Sequence, residues 1–169
     1  MHDGVIRYIV RGDTPDTWTD RGLVNIGSGR TILGLASFFS DRDGCGHLIV
    51  ACDDGDILDI RVSPDAASVE PSFLDVRANI PNPVAVTGYY ASPSDGGDDY
   101  HHLYVASADG NIHEIWFPGV ATAGQGGVCI RAQFSDLKAI AAYFGLDDFL
   151  HHLVVATTDS KIREFLWRS

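Results

Sequence analysis

The sequence predicts an all-β chain built from a tandem repeat of about fifty residues, and three periodic markers carry that prediction. Asp-Gly dipeptides begin at Asp3, Asp54 and Asp109, with Asp-Ser at Asp159, giving intervals of 51, 55 and 50 residues. A histidine precedes each later anchor by seven residues, at His47, His102 and His152, each followed by leucine. An aromatic pair closes an apolar run at Phe38-Phe39, Tyr89-Tyr90 and Tyr143-Phe144, 35, 35 and 34 residues after the preceding anchor. Units of this length, with four strands each, have the size of β-propeller blades. The fold class is therefore a β-propeller fragment of three repeats plus a partial one, its ring closed by oligomerisation. The chain is read as one domain over residues 1–169, with repeats at approximately 1–30 (partial), 31–82, 83–136 and 137–169 (partial).

Each unit offers four strands in order. The first is apolar and rich in small residues: Ile32–Phe39, Val84–Tyr90 and Ala139–Phe144. Blades crowd at a propeller axis, and Gly34, Ala36, Gly88 and Ala141 suit an innermost strand. The second runs Leu48–Cys52, Leu103–Ser107 and Leu153–Thr157, with the period-2 alternation of a strand. Asp-Gly then supplies a tight turn, since glycine accepts positive φ. The third strand returns over Ile57–Val62, Ile112–Phe117 and Ile162–Trp167, with Val5–Val10 as a further copy. The fourth is less regular, at Gly22–Ile26, Phe73–Ala78 and Val128–Gln133. Ser135–Phe144 has some helical character, but its phase matches the innermost strand elsewhere.

The order of strands has a consequence for assembly. The sequence opens on a third and fourth strand and finishes on a first, second and third. Propellers have four to eight blades, so about three and a quarter periods do not close a ring. Two chains could close six or seven blades, each completing the other's split blade; alternatively the chain is a fragment of a longer propeller.

Composition narrows the function. A net charge of −11 argues against nucleic acid, which needs a basic face, and against anionic membranes. No apolar run approaches the roughly 18–20 residues of a membrane span. No charged n-region and h-region follow Met1, so cytoplasmic residence or leaderless export is expected, with localisation otherwise open. Cys45, Cys52 and Cys129 form no C-x-x-C, and Cys45 and Cys52 flank one strand, too far apart to bridge. They read as small apolar fillers.

Catalytic motifs are missing from the sequence: there is no G-x-S-x-G, P-loop, H-E-x-x-H or G-x-G-x-x-G. The expectation is a protein without enzymatic activity and without a cofactor. The recurrent histidines His47, His101-His102 and His151-His152 could ring a propeller mouth and hold metal. The plainer reading is preferred, in which each marks the start of a second strand and hydrogen-bonds a loop. No H-x-H or H-x₃-H spacing supports a ligand set, so no metal is expected. The acidic loops around Asp41–Gly44 and Ser94–Asp99 are read as solvated turns rather than calcium sites.

The third strands are more informative. They combine charged and aromatic residues at equivalent positions: Arg7 and Tyr8; Glu114 and Trp116; Arg163, Glu164 and Trp167. Trp18 lies in the loop after the first of them. A sugar offers an apolar C–H face and a rim of hydroxyls, so an aromatic platform with fixed donors and acceptors suits it. The blander role for these residues is outer-strand packing and interblade ion pairing.

The repeated DGNIHEIW and DSKIREFLW, each after an HLxVAxxD-like strand, resemble blades of the fucose-binding and related bacterial and fungal propeller lectins. The resemblance covers essentially all three periods. It implies a six- or seven-bladed propeller, in some members assembled from short chains, with sugars held between blades by Arg, Glu and Trp or Tyr. Matched position by position, it implicates Arg163, Glu164 and Trp167, then Glu114 and Trp116, then Arg7 and Tyr8. Leu58 and Asp59 depart from the pattern in the second unit, and the two tryptophans fall one residue out of phase. The sialidase Asp-box is absent. The function expected is multivalent, non-enzymatic binding of glycans, fucosylated ones among them, by a homodimer or other homo-oligomer that completes the propeller. The alternative is a propeller scaffold for protein–protein interaction without a sugar site; an enzyme with a site in the central channel ranks third.

Overall fold

The computed structural model describes residues 5–11, 18–27, 29–63, 73–119 and 127–168; the Asp3 anchor lies outside them. Four antiparallel sheets follow one another along the chain. The first holds β1 (Val5–Arg11) and β2 (Trp18–Asn25). The second is a meander of β3 (Ile32–Ser40), β4 (Cys45–Cys52), β5 (Asp56–Val62) and β6 (Phe73–Asn79). The third repeats it with β7 (Pro83–Ala91), β8 (Tyr100–Ser107), β9 (Asn111–Pro118) and β10 (Gly127–Gln133). The fourth has β11 (Leu137–Phe144), β12 (His151–Thr157) and β13 (Ile162–Trp167). No α-helix occurs among the described residues, and Ser135–Phe144 falls mostly in β11.

The turns explain why the strands reverse where they do. The carboxylates of Asp54 and Asp109 accept the amides of Asp56 and Asn111, both at 3.1 Å, closing Asx-type turns. Gly55 and Gly110 follow at φ +91° and +86°, and their carbonyls accept the amides of Ile80 and Phe134 at 2.8 Å. These bonds tie each hairpin to the start of the next unit. In the fourth sheet Ser160 takes the same left-handed conformation at φ +64°.

The sheets stack face to face because each strand pair buries both of its faces. Ile6, Val24 and Ile26 of the first sheet meet Leu48, Val50, Leu58 and Ile60 of the second. The opposite face of the second sheet, with Ile49 and Ile57, packs on Val86, Leu103, Val105 and Ile115 of the third. Tyr89, Tyr104 and Ile112 then meet Leu153 and Val155 of the fourth. Each such fully buried aliphatic side chain contributes roughly 1.5–3 kcal/mol. The innermost strands β3, β7 and β11 run beside one another, and their small residues are what permits it. A Cβ on Gly88 would stand 2.6 Å from Leu103 Cδ2 and 3.1 Å from Phe38 Cε1.

Among the described residues, exposed apolar side chains stand on several strands, including Val128 and Ile130 of β10. On β3, Leu33, Leu35 and Phe39 alternate outward, and Leu35 shares a face with its partner Val50. On β13, Ile162 and Leu166 are 75% and 53% exposed. The three cysteines carry free thiols, Cys45 and Cys52 standing at opposite ends of β4. No helix among the described residues is long and apolar enough to cross a membrane.

Candidate functional site

A polar ladder recurs on the second, third and fourth sheets. On the third, Asp98 precedes β8, and His102 lies four residues further on. His102 Nε2 meets the Asp98 carboxylate at 3.1 Å, and Nδ1 meets Glu114 Oε1 on β9 at 2.9 Å. The Tyr104 hydroxyl donates to the same Glu114 oxygen at 2.7 Å, and Arg131 donates to the other. Arg131 comes from a bulge in β10, between Ile130 and Ala132, where the extra residue aims its side chain at the acid. On the second sheet the set is Asp43, His47, Asp59 and the β6 bulge residue Arg77. On the fourth, Asp148, His152 and Glu164 repeat it, and the Tyr143 hydroxyl donates to Glu164 at 3.0 Å.

These contacts set the ionisation. Burial pushes Glu114 upward, but hydrogen bonds from His102, Tyr104 and Arg131 outweigh it and hold the carboxyl at about 2. Burial likewise opposes charge at Asp59, and His47 and Arg77 keep it below the usual range. Burial pulls His102 down, yet Asp98 and Glu114 together raise it. Glu164 is lowered chiefly by its hydrogen bond from His152.

Between the third and fourth sheets the ladder opens into a cavity of about 290 Å³. Its floor is Asp98, His102 and Glu114, with His151 reaching in from β12. Trp116 and Trp167 form the walls, and Arg131, Tyr100 and Arg168 the rim. The one-residue phase difference between the tryptophans produces this arrangement. Side chains alternate across a strand, so Trp116 on β9 and Trp167 on β13, one step out of phase, face each other across the gap between sheets. Trp167 stacks on His151 at 5.7 Å and meets the Tyr104 ring edge-on at 5.8 Å. The Arg131 guanidinium stands 5.7 Å from the Trp167 ring, its side chain 44% exposed. The site thus offers two aromatic walls, a charged donor and a fixed acceptor, at the small end of ligand-pocket size.

The corresponding gap between the second and third sheets is filled. Asp59 is one methylene shorter than Glu114 and draws Arg77 inward, to 2.7 Å. The Arg77 guanidinium then lies over the Phe117 ring at 3.9 Å, its side chain only 5% exposed. Arg61 and Phe117 stand where the next sheet pair has Trp116 and Trp167.

Of the residues expected from the sequence, Glu114, Trp116 and Trp167 come together in one cleft. Arg163 and Glu164 do not join them as a set, because adjacent residues of β13 face opposite ways. Arg163 lies over Phe134 at 5.6 Å on the inward face, whereas Glu164 is on the outward face with Tyr143 and His152. Arg7 is exposed on β1. The side chains of Tyr8 and Trp18 lie outside the described residues. Sequence reasoning missed Arg131, Asp98 and His102 as site residues. A signal was present: acids at 43, 98 and 148 precede the recurrent histidines by four, and acids at 59, 114 and 164 follow them by twelve. The bulge arginine sits on the least regular strand and had no such marker.

No protein-family model matches the chain, and neither does any curated protein sequence. A solved structure does. The fold is similar to that of SapL1 lectin, solved in complex with alpha methyl fucoside, with a TM-score of 0.51 and 20% sequence identity. The likeness covers 80% of this chain and 42% of that one, so the chain spans less than half the length of its structural neighbour. At this identity the likeness is one of fold: an all-β, propeller-like arrangement of antiparallel sheets shared with a lectin.

Proposed function

We propose that the protein is a non-enzymatic carbohydrate-binding propeller whose sugar site is the cleft between its third and fourth sheets. The observation that carries this reading is the Glu114–Arg131 pair held beneath Trp116 and Trp167 in a cavity of about 290 Å³. A pyranose ring would lay its C–H face on a tryptophan. Its hydroxyls would donate to Glu114 and accept from Arg131, both fixed before binding, which limits the ordering cost. The fold likeness to a lectin solved with a fucoside supports the same reading and makes α-fucosides the first ligands to try.

Multivalency on this reading comes from copies of the chain, since the second interblade gap is filled by Arg77 and Phe117. We infer that copies associate through the exposed apolar faces of β3 and β13, completing a propeller ring. The test is a glycan-array screen followed by tryptophan fluorescence titration with methyl α-fucoside and, as a control, methyl α-glucoside. Saturable quenching is expected with a dissociation constant on the order of 10⁻⁴–10⁻³ M. Arg131→Ala should abolish the signal while leaving the circular dichroism spectrum unchanged. A blank array overturns the reading in favour of a protein-interaction scaffold, and full retention of binding by Arg131→Ala overturns the assignment of the sugar site to this cleft.

A further inference from the structure

Two side-chain clusters at the interfaces between sheets share a geometry that sugar binding does not require. Asp43 and His47 of the second sheet meet His101 of the third, and Asp98 and His102 of the third meet His151 of the fourth. In each, one ring nitrogen from either imidazole and one carboxylate oxygen lie within 4.8 Å of one another. His101 and His151 occupy the same position in successive repeats, so the constellation is built twice by the same rule.

The first cluster contains an anomaly. His101 has zero exposure, and neither of its ring nitrogens has a hydrogen-bond partner. It is packed among Phe38, Tyr90 and Phe117, with the His47 ring 4.5 Å away. A buried imidazole without a partner forfeits the full desolvation cost of both nitrogens, and such a group calls for an explanation.

The second cluster supplies the outer shell that a metal-binding imidazole needs. His151 Nδ1 meets the Tyr89 hydroxyl at 2.7 Å, which meets the Tyr104 hydroxyl at 3.3 Å, and Tyr104 donates to Glu114. This run of hydroxyl contacts holds the His151 ring from its Nδ1 side. Its Nε2 stands 3.8 Å from Asp98 Oδ2. His102 is oriented the same way, Nδ1 on Glu114 and Nε2 on Asp98, as His47 is by Asp59 and Asp43. Carboxylate- or hydroxyl-anchored imidazoles turning Nε2 to a common point are the usual second shell of a histidine metal site. Ligand atoms on tetrahedral Zn²⁺ are about 3.3 Å apart, within the range of these separations.

We propose that the protein binds zinc-class divalent cations between adjacent sheets, at Asp43–His47–His101 and at its repeat Asp98–His102–His151. Each site supplies two imidazoles and a carboxylate, with solvent as a fourth ligand. The second opens directly onto the cleft floor. The sequence showed these histidines recurring, but the expectation of no metal rested on ligand spacing along one strand, whereas each site draws its last ligand from the following repeat, more than forty residues away.

The test uses the full chain, treated with a chelator, dialysed and titrated with ZnCl₂ by calorimetry in the absence of sugar. Two ions per chain are expected, at roughly micromolar dissociation constants or tighter. Co²⁺ in their place should give visible d–d bands of tetrahedral intensity. His101→Ala should lower the stoichiometry to one, and the isosteric Asp43→Asn/Asp98→Asn double variant should weaken binding at least about 10–100-fold at both sites. The double variant keeps side-chain volume, so it remains a test where His101→Ala does not fold. A wild-type chain that binds no Zn²⁺ at 100-fold excess, or a folded double variant that still binds two ions with unchanged affinity, overturns the proposal. Neither readout depends on a sugar, so the metal sites and the carbohydrate reading stand or fall separately.

Discussion

Glu114 is the residue on which the cleft turns. It is buried at 1% side-chain exposure, yet ionised, because His102, Tyr104 and Arg131 all donate to it. A buried carboxylate is tolerable only when its lone pairs are occupied. Removing one donor should therefore be felt by the whole molecule. Tyr104→Phe deletes the 2.7 Å bond to Glu114 and the 3.3 Å contact with the Tyr89 hydroxyl, which keeps His151. A loss of about 1–2 kcal/mol is expected, read as a lower urea midpoint at unchanged m-value. An unchanged midpoint would mean that Glu114 is satisfied without Tyr104. The same residue explains why the neighbouring gap is shut. Asp59 stands in its place, and a single missing methylene lets Arg77 fold onto Phe117. The sequence reading noticed Asp59 as a departure, but not its effect, because that depends on how far a carboxylate reaches between two sheets.

At the scale of elements, the hairpin turns carried most of the prediction. Asp54-Gly55 and Asp109-Gly110 were legible because an Asx turn and a positive φ are local demands that only a few residue types meet. The strands between them were legible through period-2 alternation. What stayed hidden was the handedness of each side chain relative to its neighbours across a gap. Arg163 and Glu164 are adjacent in sequence and look like a pair, but on β13 they point to opposite sides of their sheet. Arg131 reaches Glu114 only because a bulge in β10 interrupts that alternation, and no residue type marks a bulge reliably. The turns themselves allow a test of opposite signs. Ser160 holds φ +64°, a conformation that costs a non-glycine residue about 1–2 kcal/mol, against roughly 0.4–1 kcal/mol of chain entropy for glycine. Ser160→Gly should thus stabilise by about 0.5 kcal/mol. Gly110→Ala should destabilise by more than about 1 kcal/mol, since its Cβ would run into the Phe134 carbonyl as well as the φ +86° backbone. Calorimetric melting temperatures moving in opposite directions would establish that the turns are equivalent; movement in the same direction would refute it.

For the whole molecule, the described sheets bury their facing surfaces in three continuous apolar layers, while large apolar side chains stay exposed on several strands, β3 and β13 among them. Leu33, Leu35 and Phe39 on β3 are 43%, 51% and 59% exposed, and Ile162 and Leu166 on β13 lie at the other end of the stack. Clustered apolar exposure of this kind marks a surface that meets another protein. Stacking copies end to end would bury both faces by the same sheet-on-sheet packing seen three times within the chain. The mass in solution, by light scattering, should accordingly be a multiple of 18.3 kDa. Leu35→Lys with Leu166→Lys should return it to one chain without loss of β-sheet signal. The cleft provides a further consequence. Trp116, Arg131 and Trp167 all belong to one chain, so the separated variant should bind a free monosaccharide as the wild type does. It should lose avidity on a dense glycan surface, where linked sites gain roughly 10²–10⁴-fold. Equal retention on such a surface by both forms would mean that the exposed faces do not build the valency, and that a single cleft accounts for all the binding.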